Sequence, residues 1–179
     1  MTDIVLKRGR GRPSFAEVAA REAAKEAKKP KPRTTAEMLT DLTMRFGMLT
    51  RLTKGAINKD IRALVVAGAP GVGKTYTVEK LLEESNTPHN VVRGTMSAIA
   101  LYKQAWKYRH AGNVLVLDDA DGIFNDEDAL NILKALCDTS EERKVSYLKE
   151  AKELVDDDGE IPQQFAFNGA MIFISNLDF

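Results

Sequence analysis

The chain has 179 residues and a mass of 19.8 kDa, with 44% hydrophobic and 29% charged residues. That is enough for one domain with a sizeable core, and it excludes global disorder. Its 26 basic side chains offset 26 acidic ones, but unevenly: residues 1–33 carry ten basic and four acidic side chains, net +6, which leaves −6 on the remainder.

Residues 1–33 read as a flexible basic arm. Lys7 to Pro13 (KRGRGRP) has neither strand nor helix periodicity. Ser14 and Glu17 form a capping box ahead of a marginal helix whose apolar face is mostly alanine. Two prolines in KPKPR (29–33) then break it. Arg10-Gly11-Arg12-Pro13 is the core of an AT-hook, extended by Lys7 and Arg8. An extended Arg-Gly-Arg fits along a narrow A·T-rich minor groove, where glycine adds no bulk and the groove potential favours guanidinium. Arg8, Arg10 and Arg12 are therefore candidate DNA contacts, and five more basic residues between 25 and 33 can reach phosphates. Nonspecific polyanion contact and a solvated arm are the alternatives.

Residues 34–59 read as a helical lead-in capped by Thr35. Its stripe, Met38, Leu39, Leu42, Phe46, Leu49 and Leu52, recurs every three or four residues and predicts packing against a core. From residue 60 the pattern alternates strand and helix. Strands are expected at 63–68 (ALVVAG), 89–94 (HNVVRG), 113–119 (NVLVLDD) and 170–176 (AMIFISN). Helices are expected at KTYTVEKLLEES, ALYKQAWKYRH and DEDALNILKALCDT. Continuous apolar strands alternating with helices predict an α/β fold with a parallel sheet covered on both faces.

Some chemistry is excluded. A single cysteine, Cys137, allows no internal disulfide and fits a reducing cytoplasm; in ALNILKALC it reads as core. His89 and His110 have no Cys or His at ligand spacing, so no zinc site is expected. No apolar run is long enough to span a membrane, and none follows the N-terminus as in a secretory signal.

The strongest motif is Gly68-Ala69-Pro70-Gly71-Val72-Gly73-Lys74-Thr75, which fits G-x-x-x-x-G-K-[ST] between an apolar strand and a helix. Glycines let successive N–H groups point at phosphate oxygens, and the helix N-terminus adds its positive dipole end. Gly68 through Thr75, with Tyr76 following, is the candidate nucleotide-binding stretch. Lys74 is suited to the β- and γ-phosphates and Thr75 to Mg²⁺.

About 40 residues on, Val114-Leu115-Val116-Leu117 ends in two carboxylates, Asp118 and Asp119. Asp118 is placed to hold Mg²⁺ with Thr75, and Asp119 to orient an attacking water. Asp121 reads as a turn or capping residue. Asn176 ends the last strand, where its amide faces the same crevice and can bond the γ-phosphate and the lytic water together.

These motifs, in this order and spacing, resemble the AAA+ ATPases: Walker A at GAPGVGKT, Walker B at VLVLDD and sensor 1 at Asn176. The run from DDADGIF to the end most resembles uncharacterised phage AAA+ ATPases, related to superfamily 3 helicases and clamp-loader-like members. The resemblance covers residues 60–179. It implies a P-loop NTPase three-layer α/β/α core with ATP and Mg²⁺ as cofactors. Lys74, Asp119 and Asn176 then carry catalysis, while Thr75 and Asp118 hold the metal. Asp119 stands where most members carry a glutamate, which shortens the side chain by one methylene.

In related proteins a β-hairpin precedes sensor 1; Lys144–Lys149 and Gln163–Asn168 are its candidate strands here, with the acidic 156–159 at the turn. The loop from Gly94 to Lys103 faces a ring pore in family members. That role asks Tyr102 and Lys103 to grip a polymer; the competing reading packs Leu101 and Tyr102 in the core. The sequence stops three residues past Asn176, before the family's arginine finger and C-terminal lid, so either it is a fragment or the product depends on another chain. In the second case a homo-oligomeric ring or another partner is expected to supply the arginine, and turnover in this chain is expected to be slow.

The leading functional expectation is a cytoplasmic ATPase acting on DNA in phage replication, recombination or packaging. The alternatives are a DNA-tethered assembly switch with little turnover and a protein-remodelling ATPase.

Overall fold

A computed structural model describes residues 34–149, 154–156 and 159–176. The basic arm, with Arg8, Arg10 and Arg12, lies outside the described residues.

Helix α1 (Thr35–Ile57) begins one residue earlier than its expected cap implied. The cap is Thr34, not Thr35. Thr34 Oγ1 accepts from the Glu37 amide at 3.3 Å, while a Glu37 carboxylate oxygen accepts from the Thr34 amide at 2.8 Å. This reciprocal capping box satisfies donors that the first helical turn leaves open. The backbone bond comes first, with the hydroxyl second, in holding the Glu37 carboxyl below its ordinary range. By packing, residues up to Asp41 form a unit separate from Leu42 onward. Of the apolar stripe, Leu49 is buried and Met38, Leu39 and Leu42 are exposed.

Strands β1 (Ala63–Ala67), β2 (His89–Arg93) and β3 (Val114–Asp118) alternate with helices α2 (Lys74–Glu84) and α3 (Ala98–Lys107). A 3₁₀ turn (Asp121–Asn125) and helix α4 (Glu127–Leu136) follow. After a β excursion the chain returns as β8 (Ala170–Ser175), which inserts between β1 and β3. The sheet order is β1-β8-β3-β2, all parallel, with Val65 opposite Phe173 and Val116 opposite Ile172.

The two central strands explain the uninterrupted apolar runs. Every residue of β3 and β8 is buried. Alternate side chains feed opposite cores. Val114 and Val116 join Leu49, Ala56, Val78 and Leu82 from α1 and α2; Leu115 and Leu117 join Leu101, Ala105, Ile132 and Leu136 from α3 and α4. This is a three-layer α/β/α fold. Within the described residues β1 lies at an edge, and Val65 is 59% exposed.

The excursion before β8 contains β4 (Lys144–Ser146) paired antiparallel with β7 (Gln164–Ala166), and β5 (Val155–Asp156) paired antiparallel with β6 (Gly159–Glu160). It packs rather than hangs free: Val145, Leu154, Ile161, Phe165 and Phe167 are all buried in the α3–α4 core. The polymer-gripping expectation for Tyr102 is overturned here. Tyr102 has no exposed surface, and its ring lies against Tyr147 and Phe165. Its hydroxyl donates to the Pro162 carbonyl at 2.7 Å. Leu101 beside it is equally buried.

Candidate nucleotide-binding site

The carboxyl ends of β1, β3 and β8 converge on one cleft of about 320 Å³. The loop after β1 forms one wall. Gly71 (φ 76) and Gly73 (φ 96) take left-handed conformations that L side chains rarely adopt. Gly73 is also the N-cap of α2 and supplies no side-chain cap, so the first amides of α2 are left to an outside acceptor.

Lys74, in the first turn of α2, is 8% exposed. Its ammonium donates to the Gly68 carbonyl at 2.7 Å, the Ala69 carbonyl at 2.9 Å and Asn176 Oδ1 at 2.9 Å. The next residue, Thr75, donates through Oγ1 to Asp118 Oδ1 at 2.9 Å. Pro70, Gly71 and Tyr76 line the mouth; Tyr76 is 68% exposed, and the Val72 side chain faces solvent.

On the opposite wall Asp118, at the tip of β3, is 7% exposed. Asp119 leaves the strand with φ 53, a left-handed conformation that Asp tolerates better than most residues. Its amide donates to the Ile174 carbonyl at 3.0 Å, which ties the turn to β8. Its carboxylate accepts from Asn176 Nδ2 at 2.6 Å. Asp121 is not a cap: Oδ1 accepts from the Ser175 hydroxyl at 2.7 Å and so clips the 3₁₀ turn to the end of β8.

The five polar residues singled out in the sequence are thus brought together in two hydrogen-bonded sets, Asp119–Asn176–Lys74 and Thr75–Asp118, joined by the Lys74–Thr75 peptide bond. For Mg²⁺, Thr75 Oγ1 and Asp118 Oδ1 form an adjacent pair of hard oxygen donors, the set this ion takes when phosphates and water complete its shell. Among the described residues no cluster of three or more His, Cys, Asp or Glu forms an all-protein metal cage.

One residue of the site was missed. Arg93, at the tip of β2, sits in register with Asp118. Its Nε lies 3.4 Å from Asp118 Oδ2, and its Nη2 pairs with Glu79 on α2. It links the β3 carboxylate to the helix that follows the phosphate loop. The signal was available in a basic residue ending the strand beside β3, but only the pairing of β2 with β3 gives it meaning.

Among the described residues no helix is long and apolar enough to cross a membrane. The chain is 39% identical over 146 residues to an uncharacterised 36.7 kDa protein of the nrdC–mobD intergenic region of Enterobacteria phage T4. The match covers 79% of this chain but 44% of the phage protein. Residues 64–156 match the profile of the ATPase family associated with various cellular activities. That stretch runs from β1 through the phosphate loop and the acidic strand end into the excursion. With the parallel sheet and the converging loop, it establishes that the chain belongs to the AAA family of ATPases.

Proposed function

We propose that this chain binds ATP with Mg²⁺ in the cleft, hydrolyses it, and works on DNA in phage-type replication, recombination or packaging. The observation that carries the nucleotide reading is the convergence of Lys74, Thr75, Asp118, Asp119 and Asn176 on the glycine loop. Glycine-loop amides and the α2 N-terminus receive the phosphates. Lys74 exchanges its carbonyl partners for phosphoryl oxygens, and Thr75 with Asp118 holds the metal. Bound Mg²⁺ neutralises charge that develops on the phosphoryl oxygens. Asp119 would orient the attacking water, and Asn176 would hold Asp119 and Lys74 in place through its bonds to both. The DNA reading is supported by the arm, through Arg8, Arg10 and Arg12.

A second reading, a nucleotide-dependent assembly switch with little turnover, is favoured by the side chain at 119, an aspartate where the family's glutamate reaches further. One pair of assays separates the two. ATP hydrolysis that rises with DNA supports the motor reading, whereas nucleotide-dependent oligomers with negligible hydrolysis support the switch. Lys74→Ala should abolish nucleotide binding, and unchanged affinity would remove the loop from its role. Replacing Arg8, Arg10 and Arg12 by alanine should weaken DNA binding and flatten its salt dependence. An unaltered salt slope would leave the arm without the job assigned to it.

A further inference from the structure

The end of the sheet away from the phosphate loop carries a second concave site. Strand β1 (Ala63–Ala67) separates the two sites, and its five residues set them roughly 16 Å apart at ~3.3 Å per residue. A cavity of about 210 Å³ opens there between the turn after α1 and the residues that lead into β1, β3, β4 and β8. Lys59, Arg62 and Arg143 line it against one carboxylate, Glu141.

Arg143 is the unusual member, since an arginine is seldom buried without a counter-charge. It is 4% exposed. Its guanidinium donates to the Leu136 carbonyl at 2.9 Å, the Gly169 carbonyl at 2.6 Å and, at 3.4 Å, the carbonyl of Arg62 itself. Its charged carbon lies 5.0 Å from the centre of the Phe167 ring. Burial first, and then the charge of Arg62, push it below the ordinary arginine range. Asp138 draws it the other way, but that carboxylate is taken by the amide and hydroxyl of Ser140. Arg62 donates to the Ser140 carbonyl at 2.6 Å. Among the described residues none of the three cations pairs with a carboxylate.

Backbone conformation holds the cations together. Lys59 has φ 71 and turns the chain out of α1. Its aliphatic stem passes over Gly112, where a Cβ would come within 3.3 Å of Lys59 Cε. The body of the chain carries net negative charge, yet here three cations face one exposed carboxylate. The Lys59 ammonium and the donors of Arg62 beyond the one given to Ser140, with the charge of Arg143 behind them, match a multiply charged tetrahedral oxyanion.

We infer that this cavity is a phosphate-binding site, separate from the nucleotide cleft and lined by Lys59, Arg62 and Arg143. The phosphate group comes from one of two sources, a free phosphate or the backbone of a nucleic acid. Binding relieves the repulsion between Arg62 and Arg143 and supplies the counter-charge that the buried guanidinium lacks.

Amide NMR spectra of the full chain, titrated with inorganic phosphate in one arm and a short DNA duplex in the other, test this. Lys74→Ala is the background, so that the phosphate loop does not compete. Saturable shifts at Lys59, Gly112 and Gly169 are expected. Lys59→Ala and Arg62→Ala, both at exposed positions, should each weaken binding about 10-fold or more. Glu141→Gln should tighten it. Saturation by phosphate alone assigns a free ion, and a stronger response to DNA assigns a backbone phosphate. No saturable shift with either probe, or shifts that Lys59→Ala and Arg62→Ala leave unchanged, would overturn the inference.

Discussion

Asn176 donates to Asp119 Oδ1 at 2.6 Å while its own oxygen accepts from Lys74 at 2.9 Å. The amide thereby orders a carboxylate on one side and a cation on the other. Asp119 holds a left-handed backbone at the same point, so both its main chain and its side chain are tied to β8. The proposed mechanism gives Asp119 the water and Lys74 the phosphates, and the two roles make different predictions. Asp119→Asn should leave nucleotide affinity unchanged and lower kcat by about 10²-fold or more. Asn176→Ala should lower kcat as well, because it releases Asp119. Hydrolysis rates beside fluorescent-nucleotide binding check both, and a normal rate in Asp119→Asn would take that residue out of the reaction.

Arg93 acts on the same site through Asp118. Its guanidinium offsets charge on the Asp118 carboxylate, 3.4 Å from Oδ2, while also pairing with Glu79. The side chain is 57% exposed, so solvent screens the pair and its worth to stability is at most ~1 kcal/mol. Its effect on a cation at Asp118 is direct. Arg93→Ala should lower the Mg²⁺ concentration that half-saturates nucleotide binding by a factor of about 2–5, the range such a pair allows. Nucleotide titrations at stepped Mg²⁺ read this without turnover. A weaker Mg²⁺ dependence would instead make Arg93 chiefly a device for orienting Asp118.

The four strands of the parallel sheet were legible to within a residue because β3 and β8 are buried on both faces, which leaves uninterrupted runs such as VLVLD and AMIFIS in the sequence; the short strands of the excursion lack such runs and were expected too long or not at all. The phosphate loop was legible because its glycines serve backbone conformations, as Gly71 and Gly73 show. What escaped depends on tertiary pairing. Arg93 gains its partner only through the register of β2 on β3. Arg143 stands 81 positions from Arg62 in the chain, and it meets Lys59 and Arg62 only where several strands begin. Tyr102 falls within the stretch that the family pattern assigns to the pore loop, but the excursion folds over it and buries it. The Thr34–Glu37 capping box was readable from spacing alone, but only a cap was expected there, one residue late at Thr35.

Burial of Tyr102 has a measurable consequence at high pH. Desolvation pushes its phenol from 10.0 up to about 12. A folded-state value above the unfolded one means that the neutral form stabilises the fold. That contribution is complete below pH 10 and is lost as the pH rises toward 12. Tyr102→Phe should remove this part of the alkaline sensitivity. Near neutrality it should cost about 1 kcal/mol for the lost bond to the Pro162 carbonyl. Denaturant unfolding at stepped pH checks both, and an unchanged alkaline limb would contradict the burial.

Gly169 shows how closely the chain packs just before β8. A Cβ at this position would lie 2.3 Å from the Tyr108 carbonyl oxygen and 3.2 Å from that of Asn113. Both obstacles are backbone, so neither can swing aside. The Gly169 amide already donates to the Arg109 carbonyl at 3.0 Å, and its own carbonyl holds Arg143. Gly169→Ala must therefore push β8 away from the chain entering β3 and should cost about 3 kcal/mol or more. That corresponds to a fall in Tm of roughly 6–12 °C for a chain of this size. Gly71→Ala is the control: nothing lies within 4 Å of its Cβ, and only φ 76 opposes the change, a cost of ~1 kcal/mol. Thermal unfolding of the two variants should therefore separate a backbone collision from a conformational penalty. Equal shifts would mean that β8 can retreat from the Tyr108 carbonyl without loss.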